Sequence, residues 1–188
     1  MGEIELKKLI KTILFLIFIS NVSANENDLT IGIYPYKEDE ILYEEYKPLI
    51  KYLSNELGIT VTLKISKDYH SLIQMLNANI IDIGLFGPYN YIKAKKTIPN
   101  MKYIVTKQTL KDKKLRFSYN SVIVTLKKNN IQTIAQIKNK KIGFTDYNST
   151  SGYLLPMHVL KNNYIEKSDL KNFFMLKNHT RVMEALNS

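Results

Sequence analysis

The 188-residue chain has no cysteine. That excludes disulfides, thiolate metal sites, a cysteine nucleophile and a lipid-modified cysteine anchor. Histidine is scarce, with three residues, so a zinc site is not expected although three histidines do not exclude one, and no cofactor is expected. Acidic residues are in the minority: 17 Asp+Glu stand against 27 Lys+Arg, a formal charge of +10. Only two of the cations are arginines, Arg116 and Arg181. The lysines are spread evenly and aromatics do not alternate with them, so a nucleic-acid partner is not expected. A solvated, lysine-rich surface fits better, and its field would speed the capture of a small anion. The apolar fraction of 45% and charged fraction of 23% are those of a globular protein, which excludes collagen-like, low-complexity and wholly disordered chains.

Long hydrophobic runs are also lacking, apart from one at the start. Lys7, Lys8 and Lys11 precede an apolar stretch, Thr12 to Ile19, and Val22-Ser23-Ala24 leads into polar residues. The run is shorter than the roughly 20 residues a membrane span needs. Residues 1–24 therefore read as a secretory signal cleaved near Ala24, which places the mature protein in the periplasm.

From Leu29 onward short strands alternate with amphipathic helices. Strands are expected at Leu29–Tyr34, Val61–Ile65, Ile80–Phe86, Met101–Gln108, Tyr119–Leu126, Lys141–Thr145 and Phe173–Leu176. Helices are expected at Glu44–Leu57, with Leu49, Ile50, Leu53 and Leu57 on its inner face, and from Asp68, its N-cap, to Asn77. Further helices are expected at Pro88–Lys96, Thr133–Lys138, Ser151–Asn162 and Thr180–Leu186. This alternation argues for an α/β fold. The charged stretch around Lys111–Phe117 marks a crossing between lobes, giving a first lobe at 25–115 and a second at 116–188. About 70 residues are marginal for an independent core, so the second lobe reads as incomplete.

The most informative segment is Asp146-Tyr147-Asn148-Ser149-Thr150-Ser151-Gly152-Tyr153-Leu154, which leaves a strand and enters a helix. A helix N-terminus presents free backbone N–H groups and a partial positive charge. Three successive hydroxyls add donors, and Gly152 keeps the approach open, which suits an anion site built from neutral groups. Simple capping remains the alternative, although one such residue would suffice for it. Elsewhere the chemistry is bland. His70 and His158 lie on helices as surface or packing residues, and the pairs Asp39-Glu40 and Glu44-Glu45 look like solvated helix starts. No G-x-S-x-G elbow is present and no Asp–His partner can be set beside Ser149 or Ser151, so no enzyme activity is expected.

The Ser-Thr-Ser-Gly turn resembles that of the phosphate/phosphite/phosphonate substrate-binding proteins of ABC importers. Leu29-Thr30-Ile31-Gly32-Ile33-Tyr34-Pro35, the helix through Leu57, and Asp68-Tyr69 ahead of the run ending Phe86-Gly87-Pro88 follow in the order of that family. The resemblance implies a type II periplasmic-binding-protein-like fold, two lobes with mixed sheets, and a phosphorus oxyanion held between them. It implies that Ser149, Thr150 and Ser151 hold the oxyanion, with His179 donating from the same lobe. Tyr34 and the Phe86-Gly87-Pro88 loop would close from the first lobe, with Tyr89 a neighbour. The chain departs from the family in reading Asn178-His179-Thr180 where a Ser-His-acidic run is usual. The implied partner is the membrane permease of an ABC importer. An alternative is a ligand-sensing ectodomain fragment of a membrane-bound signalling protein with the same fold.

Overall fold

A computed structural model of the chain describes residues 28–111 and 113–187; the expected signal segment lies outside the described residues. Strand β1 (Asp28–Ile33) carries Ile31 and Ile33 into the first core and ends at Tyr34-Pro35. Helix α1 (Asp39–Leu57) follows and is closed by Gly58, whose left-handed backbone (φ 66°) lets its N–H reach Ser54 O at 3.0 Å. Strand β2 (Thr60–Ile65) leads to helix α2 (Tyr69–Asn77), capped by Asp68 as expected: its Oδ1 accepts the Ser71 N–H at 2.7 Å. Strand β3 (Ile83–Leu85) and helix α3 (Pro88–Thr97, with Pro88 in the first turn) complete this unit.

The three strands form one parallel sheet in the order β2-β1-β3. The β1–β2 connection therefore runs to one side of β1 and the β2–β3 connection crosses to the other, and ligand crevices open at the carboxyl ends of strands at such a switch point. Tyr34 and Phe86 stand at those ends. A second parallel sheet pairs β6 (Lys141–Phe144) with β7 (Asn172–Met175), followed by α5 (His179–Asn187). Helix α4 (Leu155–Asn162) packs Leu160 on Phe144, Ile137, Ile165 and Leu170, the second core. The antiparallel hairpin β4 (Thr109–Lys111) and β5 (Lys114–Arg116) lies between the two sheets in sequence, and the expected boundary at 115/116 falls on β5. Among the described residues no helix is long and apolar enough to cross a membrane.

Several elements differ from expectation. Helix α1 starts at Asp39, so Asp39 and Glu40 do sit in its first turn, where carboxylates complement the helix dipole. The earlier start shifts the buried stripe to Leu42 and Tyr46; Leu49 and Leu57 stay exposed. Strand β3 is shorter than Ile80–Phe86, because the Ile80 N–H closes the end of α2 on Met75 O and Asp82 turns its carboxylate to the Thr30 N–H at 2.7 Å. The segment Thr133–Lys138 is a 3-10 turn at Ile134–Ile137. Met101–Gln108 and Tyr119–Leu126 are not strands. Both carry β-favouring residues, but no described strand lies alongside to accept their ladder bonds, and Val105 and Val122 remain 75% and 69% exposed.

Candidate functional site

The turn after β6 is built by its own backbone and side chains. Asp146 starts it, accepting the Asn148 N–H on Oδ1 at 2.7 Å and the Ser149 N–H on its carbonyl at 2.9 Å. Ser149 caps the following helix: its Oγ accepts the Gly152 N–H at 3.1 Å. The Leu154 N–H reaches back five residues to Ser149 O at 3.1 Å, so residues Thr150–Leu154 form one wide π turn ahead of α4. Gly152 is required here. A Cβ at that position would collide with Thr145 Oγ1 and stand 2.9 Å from Ser149 Oγ.

The first sheet unit faces this turn through the start of α3. The Tyr89 N–H donates to Thr150 Oγ1 at 2.9 Å, and Lys93 Nζ donates to Asn148 Oδ1 at 2.7 Å. A further bond joins Ser121 Oγ to Ser151 O at 2.8 Å. Both Ser149 and Thr150 use their oxygens as acceptors, which leaves each hydroxyl proton free to donate elsewhere. The capping role of Ser149 and a role as anion donor are therefore compatible.

Tyrosines form the opposite side. Tyr34 lies between Tyr69, with ring centroids 4.4 Å apart, and Tyr36, at 5.3 Å. The Tyr34 hydroxyl approaches Gly87, whose absent side chain leaves room for it: a Cβ there would sit 3.3 Å from that oxygen. Burial pushes the Tyr34 phenol well above its ordinary range, with Tyr69 and Tyr119 adding to the effect, so it stays protonated and able to donate. Burial likewise raises Tyr69, to about 12, against the opposing influence of the Ser149 hydroxyl. Asn90, at 1% exposure, fastens this wall by donating to Tyr69 O at 2.7 Å. Two buried atoms lack a hydrogen-bond partner among the described residues: Asn90 Oδ1 and Thr145 Oγ1.

Tyr36 extends the wall to a charged anchor. Glu45 accepts the Tyr36 hydroxyl at 2.9 Å and both Lys37 Nζ and Lys107 Nζ at 2.7 Å. Partial burial alone would raise this carboxyl, but the lysine and tyrosine donors outweigh it and hold it at about 2. Glu45 is thus exposed, as expected, but it lies inside α1 and not at a helix start, and it serves as a structural acceptor there.

All nine expected ligand residues line one cleft of about 2740 Å³: Tyr34, Phe86, Gly87, Pro88, Ser149, Thr150, Ser151, Gly152 and His179. The cleft is larger than an ordinary small-molecule pocket because it runs on past Tyr103–Val105 and Val122–Thr125. Within it the placements differ. Phe86 folds its ring back over Gly84, while Pro88 occupies the first turn of α3. His179 opens α5, and its N–H donates to Tyr36 O at 3.2 Å. Crowding by protein lowers its pKa, which favours the neutral imidazole. Asn178 explains the departure at this position. Its Oδ1 caps α5 by accepting the Arg181 N–H at 2.9 Å, and its Nδ2 donates to Glu38 at 3.0 Å. Sequence reasoning missed Thr145, Asn90 and Lys93, and treated Tyr69 as a helix marker only. His70 and His158 are both exposed, which settles His158 as a surface residue and not a packing one. No group of three metal-ligating side chains occurs among the described residues.

A family model described as "ABC transporter, phosphonate, periplasmic substrate-binding protein" matches residues 31–188. The chain is 26% identical over 160 residues to a probable ABC transporter phosphite binding protein, PhnD1, of Prochlorococcus marinus, covering 85% of this chain and 54% of that one. It is 28% identical over 141 residues to the phosphate-import protein PhnD of Mycolicibacterium smegmatis, covering 74% and 43%. The structure of Prochlorococcus marinus PhnD1 in complex with methylphosphonate superposes with a TM-score of 0.74 at 20% identity, over 86% of this chain and 60% of that chain. That likeness shows the periplasmic-binding-protein fold. The chain spans about half the length of the curated relatives it matches.

Proposed function

The chain belongs to the family of periplasmic substrate-binding proteins of phosphonate ABC transporters, and from that premise we propose that it binds phosphonate, phosphite or a related phosphorus oxyanion in its cleft. In this reading it is the solute-binding component of an importer and delivers the anion to a membrane permease, without catalysis. The two sheet units act as lobes divided at the β4–β5 hairpin, near residue 115, and the protein works in the periplasm after its leader is removed.

The observation that carries the reading is the turn Ser149–Gly152 set against the tyrosine wall. Ser149, Thr150 and Ser151 donate to oxyanion oxygens, assisted by the backbone N–H groups of the turn. Tyr34 and Tyr69, protonated throughout the physiological range, donate or pack from the other lobe. His179 adds a neutral donor from the turn's own lobe. Phe86, Gly87 and Pro88 exclude water. Micromolar affinity requires about 8 kcal/mol. Charge-assisted hydrogen bonds contribute about 1.5–3 kcal/mol each, and ordering costs subtract several. The turn alone therefore falls short, and the second wall is needed to close over the anion and dry it.

A thermal melt against methylphosphonate, 2-aminoethylphosphonate, phosphite, phosphate and sulfate tests this. The expected result is a midpoint raised by a phosphorus oxyanion and not by sulfate. A cooperative melt indifferent to the whole panel overturns the reading.

A further inference from the structure

The anion turn has a charge problem of its own. Its three side-chain donors are neutral, yet it begins with a carboxylate, Asp146, whose field reaches Tyr69 across the cleft. An incoming anion would meet that negative charge, and a dianion would meet it twice over. The cation that answers it comes from the other lobe. Lys93 lies one helical turn beyond Tyr89 on α3, so one helix face supplies both the Tyr89 N–H to Thr150 and the ammonium to Asn148, the residue directly before Ser149. Lys93 is half-buried, its Nζ also stands 5.8 Å over the Tyr89 ring, and among the described residues no carboxylate comes within ion-pair distance of it. Its only described hydrogen-bond acceptor is a neutral amide, so its charge is left uncancelled beside the turn.

We propose that Lys93 is a specificity-determining residue, a cation carried across the cleft to the lip of the anion turn so that the site favours dianionic over monoanionic ligands. The proposal rests on the functional reading above and deepens it. Because Lys93 acts from α3 on a partner in the turn, its charge reaches the ligand only while α3 and the turn are in contact. Ligand charge is then sensed by closure as well as by the donors.

The test is titration calorimetry of the full chain at about pH 9, where a phosphate-type group with a second ionisation near pH 6 is dianionic. Methylphosphonate and methanesulfonate serve as dianion and monoanion of similar shape, with weak binding read by competition. Lys93→Met is expected to weaken methylphosphonate about tenfold and methanesulfonate only about threefold, since a field effect scales with ligand charge. It should also flatten the salt dependence of methylphosphonate binding, and Lys93→Arg should restore both. Equal losses for the two ligands, an unchanged salt dependence, or no loss overturns the proposal while leaving the phosphonate reading intact. A wild-type chain that binds no phosphorus oxyanion overturns both. An unliganded melt of Lys93→Met that matches wild type shows that the loss arises at the site and not from unfolding.

Discussion

The two walls of the cleft are made in opposite ways. The second-lobe wall is contiguous in sequence, from Thr145 to Gly152, and is fixed by short-range bonds such as Thr145 N–H to Gly152 O at 3.2 Å. The first-lobe wall is assembled from Tyr34, Tyr36, Tyr46 and Tyr69, spread over three elements and brought together by the β2-β1-β3 sheet. One wall offers donors on a backbone cross-linked by its own hydrogen bonds; the other offers aromatic surface tipped with hydroxyls. A local motif can supply geometry, whereas the surface that dries it needs the whole fold.

The sharpest way to break this contrast is Gly152→Val. The added carbons collide with Thr145 and crowd Ser149, and overpacking of this kind costs about 1–3 kcal/mol of stability. Ligand-induced stabilisation should vanish while an unliganded melt remains cooperative at a lower midpoint. Next comes the double variant Thr150→Ala, Ser151→Ala, which should cost about 3 kcal/mol or more of binding, two donors at 1.5–3 kcal/mol each. Unchanged affinity in a titration would remove these residues from the site. Tyr34→Phe, which keeps the ring and removes the hydroxyl, should cost about 0.5–1.5 kcal/mol, the value of one ordinary hydrogen bond. A loss as large as that of the double variant would show the walls to be equal in kind.

The smallest effect concerns the anchor behind the tyrosines. Glu45 has its pKa depressed to about 2, so it stabilises the fold above the unfolded carboxylate value of about 4.3. That contribution is lost as pH falls from there through about 2. Glu45→Gln should flatten this part of an acid-unfolding curve and lower the neutral-pH midpoint slightly, the loss being small because solvent screens these partly exposed pairs.

What could be read in advance follows the same division. The hydroxyl turn was legible because its chemistry is packed into consecutive residues, and so was the Asp68 cap. The tyrosine wall was legible only at Tyr34, whose strand-end position is a local signal. Tyr69 gives no such signal: it looks like any first-turn residue until the sheet sets it against Tyr34. Lys93 was one lysine among many, because its contact with Asn148 depends on what the fold sets opposite α3. The unformed strands at Met101–Gln108 and Tyr119–Leu126 fail for the converse reason. Their local preference is for strand, but pairing is a property of neighbours.

Glu38 ties the two lobes together through one oxygen, and under the proposed function that bears on how long a ligand would stay. One carboxylate oxygen takes both the Asn178 amide at 3.0 Å and Arg181 Nε at 2.9 Å, next to the His179 N–H on Tyr36 O. This seam joins the start of α5 to the chain entering α1, while the seam at Tyr89 and Lys93 joins α3 to the turn. Separating the lobes has to break both. If the cleft binds an anion as proposed, its escape rate would be set by the cost of opening these seams together, and ionic strength, which screens the half-exposed Glu38–Arg181 pair, would become a control on residence time.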